Sequence, residues 1–434
     1  MGFVRKYLSV EGLHQLVRLG FDKENLPILQ SNVSWKDCMM SGLAIFGLKF
    51  PSLLKFEEEK LQPFTRHNLK KLYHVNFAPS DTCLRERLDV LSPKNFRRPF
   101  KLIFACLQRG KMLERYKFLG DHYLLSVDGT GQYSSNTVRC KNCCEKHHRS
   151  GETTFYHQML GMVLVHPNES VVIPFAPEPI VKSDGSTKND CERNAAKRLL
   201  QDFRREHPHL KAVIVEDGLG SNHPHLTLLD SLDLEYVIGV KPGDHDFLFD
   251  WIKHAKGKEV VVLKDNVRHT FRYVKDVPIN DEHFDYHVNV LEYWEEKANG
   301  KKQHFSWVTS FEITDNNVFD LMRAGRARWR IENETFNTLK NQGYNFEHNY
   351  GHGYNNLCSV LTMLMMLAFL IDQAQQLCDK LYQKVRQRRK LRTLFEHVRT
   401  LVQYAAWSNW ASLYETIACP EERPPPIGIL PAEF

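Results

Sequence analysis

Residues 122–131 read HYLLSVDGTG and residues 212–220 read AVIVEDGLG, each an apolar run ending in an acid followed at once by glycine. Both are expected to be buried strands that deliver Asp128 and Asp217 at their carboxyl ends, where open α/β sheets bind ligands. Glycine behind the acid lets another backbone or a substrate approach, and a strand holds a carboxylate more firmly than a loop does. Asp-Gly also opens turns, and either motif taken alone is more simply a turn. Between the two runs, FYHQMLGMVLVH and SVVIPFAPEPIV are β-rich and separated by the turn residues Pro167 and Asn168. A helix is expected from Asp190 to Glu206, with Ala195, Leu199, Leu200 and Phe203 at helical spacing, then a helix through Leu226 to Leu232 and the strand EYVIGVKP. Strands alternating with helices predict a mixed α/β sheet.

Further along, EVVVLK, HTFRYVK, FDYHVNVLEYW and HFSWVTSFEI, between about Asp246 and Thr314, are β-prone runs broken by polar turns and read as a β-rich insertion. Helix returns from Asp315 to Gln342. The apolar run Leu357 to Ile371 is shorter than the roughly 18 to 20 residues a bilayer requires, so it is read as a buried core helix and no membrane span is expected. Upstream, to about Leu119, the pattern is helical. Ser34 and Asp37 form a capping-box pair ahead of Met39, Leu43 and Phe46, and Ser80 with Asp81 precedes Leu84, Leu88 and Leu91 on one face. The resulting map is a helical domain at 1–119, a core at 120–245, the insertion at 246–314, the rest of the core at 315–372 and a helical basic tail at 373–434.

The 434 residues are 42% hydrophobic and 25% charged, ordinary globular values that exclude a disordered majority. The start, MGFVRKYLSVEGLHQL, has no secretory signal pattern, and ten scattered Cys suit a reducing compartment, so a cytoplasmic protein is expected. A net charge of +6 is too small to prove a polyanionic partner. Its distribution says more. Basic residues cluster at Lys94, Arg97, Arg98 and Lys101, at Arg323, Arg326, Arg328 and Arg330, and at Lys384, Arg386, Arg388, Arg389, Lys390 and Arg392. Such patches suit phosphate backbones, and solvated helix faces explain them equally well.

A third acid sharpens the choice. In RARWRIENETFNTLKNQGY a helix carries Glu332 among Arg328, Trp329, Arg330 and Lys340, with Ile331, Thr335 and Leu339 along one side. Pairing with Arg328 four residues away explains part of this. A carboxylate for hard cations set among phosphate-binding side chains also suits phosphodiester chemistry.

Together these residues resemble bacterial insertion-sequence transposases of the DDE class, the group with a β-rich insertion in an RNase H-like fold and a Tyr-Arg-Glu-Lys signature helix. The resemblance covers most of the chain and is strongest from Tyr123 to Gly353. It implies an α/β fold, an RNase H-like mixed sheet interrupted by the insertion, with an N-terminal helical, DNA-binding domain and a helical C-terminal region. It carries over Asp128, Asp217 and Glu332 as catalytic ligands of two Mg²⁺ or Mn²⁺ ions, with Glu334 as the rival third acid. Arg326, Arg328, Trp329, Arg330 and Lys340 become DNA contacts, although Trp329 is more simply a core indole. Double-stranded DNA, as terminal inverted repeats and target, is the implied partner of a homodimer working at the bacterial nucleoid. The signature's Tyr falls on Gly325 and its Lys on Leu339, one short of Lys340. The rival readings are a transposon-derived DNA-binding regulator and a metal-dependent nuclease that cuts without joining.

CKNCCEKHH, Cys140 to His148, offers Cys140, Cys143, Cys144, His147 and His148 to zinc, with Cys191 as a distant partner. Half a site in one segment is weak evidence, so a solvent-facing loop is the expected reading. GTGQ and GLGSN lack the Lys-Ser/Thr of a phosphate-binding loop, Cys106 is read as core, and the histidines at 147, 148, 157, 166, 207, 209, 223 and 225 receive no chemistry.

Overall fold

Among the residues described by this computed structural model, 6–21, 26, 33–185 and 188–426, six α-helices precede the sheet: Val10–Phe21, Trp35–Gly47, Leu53–Glu59, Pro63–Tyr73, Asp81–Asp89 and Arg97–Arg109. Their starts follow local chemistry. Ser34 Oγ accepts from the Asp37 amide at 3.1 Å and Ser80 Oγ from the Cys83 amide at 3.3 Å, so each hydroxyl satisfies an amide that the first turn leaves without an acceptor.

Among the described residues twelve strands form one sheet. In chain order the first eight are β1 (Lys117–Phe118), β2 (His122–Ser135), β3 (Cys144–His147), β4 (Thr153–His166), β5 (Glu169–Pro174), β6 (Glu178–Ile180), β7 (Ala212–Glu216) and β8 (Glu235–Gly239). β2 pairs antiparallel with β4 and parallel with β7, and β7 pairs parallel with β8, the order of an RNase H-like mixed sheet. All five residues of β7 are buried, as a parallel strand covered on both faces requires. Helices Lys188–Glu206 and His223–Ser231 make the connections.

The insertion prolongs this same sheet. It opens with a helix, Asp246–His254, where only strands were expected, and continues as β9 (Lys258–Lys264), β10 (Val267–Pro278), β11 (His287–Lys297) and β12 (Lys302–Thr309). β12 pairs with β8 through Trp307↔Gly239, Val308↔Ile238 and Thr309↔Val237, and the order runs outward through β11 and β10 to β9. Asp265 and Asn266 turn β9 into β10 with φ of 52° and 59°, the left-handed pair that a two-residue hairpin needs.

Behind the sheet lies the core helix, Leu357–Cys378. Its 22 residues exceed the apolar run read from the sequence and are long enough to cross a membrane, so length does not exclude a span. Burial identifies it as core instead: every residue from Leu357 to Gln375 is buried, against Trp35–Gly47, Arg97–Arg109 and β5. The Asp89 carboxylate takes the amides of Asn355, Asn356 and Leu357, each at 2.9 Å, and so caps this helix from a distant segment. Burial works against the charge of Asp89, yet these donors hold its carboxyl below the usual range.

The basic tail does not extend away. Helices Lys380–Arg388, Leu391–Tyr404 and Trp410–Ala418 fold back on the amino-terminal helices, while 427–434 lie outside the described residues. Asn68 Nδ2 donates to Val402 O at 2.8 Å and Ala405 O at 2.7 Å, and Trp410 Nε1 donates to Leu72 O at 3.1 Å. Inside this body the Lys49 ammonium meets Asp372 at 2.7 Å and lies 4.0 Å from the ring centres of both Tyr344 and Phe395. Asp372→Leu strands that buried cation and is expected to cost about 3 kcal/mol or more in urea unfolding, most of it recovered in Lys49→Met/Asp372→Leu. If the single substitution is neutral, the pair is not structural.

His14 joins the same two ends of the chain. Its ring stacks on Trp410 at 5.3 Å, meets Tyr73 edge-on at 4.9 Å and lies 2.8 Å, through Nδ1, from Val10 O. Burial lowers its pKa to about 4, the Val10 carbonyl opposing and the charges of His74 and Lys49 assisting. The unfolded chain takes up this proton near pH 6.5 and the folded chain does not. Stability is therefore full above about pH 6.5 and drops by on the order of 3 kcal/mol as pH falls toward 4. Melting curves of wild type and His14→Phe should diverge across that window, and parallel curves refute the assignment.

Candidate active site

β2 and β7 part company at Ser126↔Val215, two residues before Asp128. That separation, rather than the end of a strand, exposes the Asp128 carboxylate, because β2 continues to Ser135 with Asp128 opposite Gly161 of β4. Asp217 directly follows β7, and its Oδ1 accepts the Leu219 amide at 3.0 Å. Both acids line one cleft, together with Val127, Leu160, Glu192 and His225.

The third acid arrives on a helix with a defect. Val318–Ala327 leads through Arg328 into a widened, π-helical turn at Ile331–Phe336 and on to Asn337–Asn341. Such turns admit one extra residue and occur frequently at functional sites. Ser126 Oγ donates to Arg328 O at 2.9 Å and pins this helix to β2. Gly161 is its seat: a Cβ there would stand 3.2 Å from the Phe336 ring and 3.5 Å from Ile331 Cδ1.

These contacts bring Asp217 and Glu332 within electrostatic reach of Asp128. Burial pushes the Asp128 carboxyl up to about 6; the Arg328 guanidinium opposes this, and the charges of Asp217 and Glu332 add to it. Arg328 Nη1 lies 3.1 Å from Asp128 Oδ2. Among the described residues Glu332 makes no hydrogen bond or ion pair, whereas Glu334 is turned toward Arg330 at 3.4 Å.

The neighbouring cations divide. Lys264, Arg323, Arg326 and Arg330 line a groove between the insertion and this helix, with Trp329 beside them. Trp329 is 47% exposed and so is not a core indole. It stands about 200° around the helix from both Ala327 and Ile331, which face inward. The Arg328 guanidinium sits 4.4 Å from its ring centre. Arg326 is bound to Glu295 of β11, Arg330 also donates to Pro167 O at 2.8 Å, and Lys340 pairs with Glu347 at 3.0 Å beyond the far side of β2. Arg97, read as part of a surface patch, is instead 5% exposed and held by Glu206 at 2.6 Å and Asp202 at 3.5 Å.

The family model described as Transposase DDE domain matches residues 121–370, a span that holds all three acids, the insertion and most of the core helix. The chain belongs to the DDE transposases. No curated protein matches it. Among solved structures, the cryo-EM structure of a piggyBac transposase synaptic complex with hairpin DNA aligns with 100% of this chain and 85% of its own, at 10% identity and a TM-score of 0.43.

Within this transposase, the Cys-rich segment splits between two destinations. Cys140 and Cys143 meet His157 of β4 and His352 of the loop before the core helix. Cys144 turns to Ile180 O at 3.7 Å, His147 to Thr153 Oγ1 at 3.0 Å and His148 to Thr154 Oγ1 at 2.8 Å, while Cys191 lies 3.5 Å from Gly185 O. His157 and His352 carry no local signal, since their partners lie up to 209 residues away.

The departure at Gly325 has a steric cause: a Cβ at that position would lie 2.3 Å from Trp307 Nε1 of β12. The signature's Tyr has no room while this indole occupies the face. Gly325→Ala is expected to destabilise the transposase by about 1 to 3 kcal/mol, with partial recovery in Gly325→Ala/Trp307→Leu. Unfolding midpoints test this, and an undiminished single variant removes the steric explanation.

Proposed function

We propose that this transposase binds the terminal inverted repeats of its element as a homodimer, cuts there and joins the ends to target DNA. The observation that carries the reading is the approach of Asp217 and Glu332, each on a different element, to Asp128, with the Arg328 guanidinium beside it. Three neighbouring carboxylates with hard oxygen donors suit divalent cations, and among the described residues Glu332 has no hydrogen-bond or ion-pair partner. Asp128, Asp217 and Glu332 would hold a pair of Mg²⁺ or Mn²⁺ ions, which would supply activation of water or a 3′-hydroxyl and stabilisation of the leaving oxygen.

The chain's own part is placement. Ser126 fixes the helix of Glu332 against β2, so the acid's position is set before DNA arrives. Arg328 balances Asp128, and Arg323, Arg326 and Arg330 offer the groove beside it to phosphates, Arg being suited to bidentate contacts. Trp329, half exposed at the rim, presents a face on which a displaced base stacks. Acting on chromosomal DNA, the protein works at the nucleoid.

The test uses labelled DNA from the sequences flanking the reading frame, a target plasmid and Mg²⁺. Asp128→Asn, Asp217→Asn and Glu332→Gln should each lower cleavage by on the order of a hundredfold or more with end binding retained, and Glu334→Gln should leave it within a few fold. Full cleavage by any of the first three removes that residue from the site. Cutting without joined product identifies a nuclease, and binding with neither identifies a regulator.

A further inference from the structure

At the far end of β2 from Asp128, four groups converge that the DNA chemistry does not use. Cys140 and Cys143 sit on the turn between β2 and β3, His157 lies on β4 opposite Tyr133, and His352 precedes the core helix. Their ligand atoms all lie within 4.8 Å of one another. Cys140 Sγ is 3.8 Å from Cys143 Sγ and 3.4 Å from His157 Nε2. Cys143 Sγ is 3.4 Å from His157 Nε2 and 3.3 Å from His352 Nε2. A tetrahedral zinc centre, with Zn–S of about 2.3 Å and Zn–N of about 2.0 Å, requires S···S edges of about 3.8 Å and S···N edges of about 3.5 Å. The four side chains already stand near the corners of that figure.

We infer that Cys140, Cys143, His157 and His352 form a structural Zn²⁺ site that clamps the sheet to the loop leading into the core helix. The donor set is soft sulfur and imidazole nitrogen, which selects zinc and separates this site from the hard-oxygen cleft of Asp128. Four protein ligands fill the tetrahedron and leave no open position, so the site holds structure and does no chemistry. Cys143, His157 and His352 are 1%, 3% and 8% exposed, and the Cys140 amide points at Cys143 Sγ at 3.3 Å, a donor for a metal-bound thiolate. The clamp has a second strand of support: Asn142 Nδ2 donates to Asn355 O at 2.7 Å, so the Cys turn reaches the same loop by a hydrogen bond. The inference is independent of the reading of Asp128, Asp217 and Glu332.

The experiment is elemental analysis of the full-length protein, purified without chelator or polyhistidine tag, with cobalt replacement as the second readout. One zinc per chain is expected, falling below about a tenth in Cys143→Ser and His352→Ala. Cys144→Ser, His147→Ala and His148→Ala should keep their zinc. Cobalt in the wild-type protein should give the intense visible bands of tetrahedral coordination and a sulfur-to-metal charge-transfer band. His352→Cys should retain both, which keeps the test decisive even where alanine variants fail to fold. Folded wild type with neither zinc nor tetrahedral cobalt overturns the site, as does a Cys140–Cys143 disulfide in its place. Zinc kept by His157→Ala and His352→Ala but lost from His147→Ala or His148→Ala overturns it equally, by returning the metal to the linear segment.

Discussion

Asp89 and the core helix it caps hold the two halves of this protein in one arrangement. A helix buried through its first 19 residues has nowhere to send its leading amides except to the protein itself, and one carboxylate from the amino-terminal region takes the first of them together with the two amides just before it. The apolar wall behind that cap must be covered on every side. β5 covers one side, the amino-terminal helices another, and the chain's last helices return to close the rest. Since the amino-terminal helices and the last described helices meet around one helix, the helical body is a single support against which the sheet is registered.

On that support the sheet keeps unlike chemistries apart along one strand. β2 carries Asp128 where it leaves β7, and some residues later reaches the turn of Cys140 and Cys143. Charge is handled differently at each place. In the cleft a half-buried acid feels two other acids and one guanidinium. In the helical body, by contrast, the Lys49–Asp372 pair is closed off, each charge answered by a neighbour and by aromatic rings.

Much of this was legible in the residues. Apolar runs ending in Asp-Gly located β2 and β7, and the alternation of elements announced the mixed sheet. What escaped had non-local causes. Asp128 was read as the end of a strand because glycines follow it, yet β4 supplies pairing partners through Ser135 and the strand goes on. The tail was read as basic and helical from its charged residues, while the apolar face that folds it back is spread over Leu394, Val398 and Val402. Trp329 was placed in the core by residue type, where helical phase puts it outside. His157 and His352 had no spacing to betray them, since folding alone makes them neighbours. The acids themselves rested on family likeness as much as on pattern, Glu332 most of all.

The widened turn at Ile331–Phe336 bears on the remaining mismatch with the signature. A motif counted in residues assumes a uniform angular step of about 100°. One extra residue in a turn breaks that assumption, and every later position is carried one step forward in number while keeping its direction in space. Leu339, the seventh residue past Glu332, lies beyond such a turn and is wholly buried. The place that the signature gives to Lys is spent on packing here, and the neighbouring Lys340 reaches Glu347 at 3.0 Å.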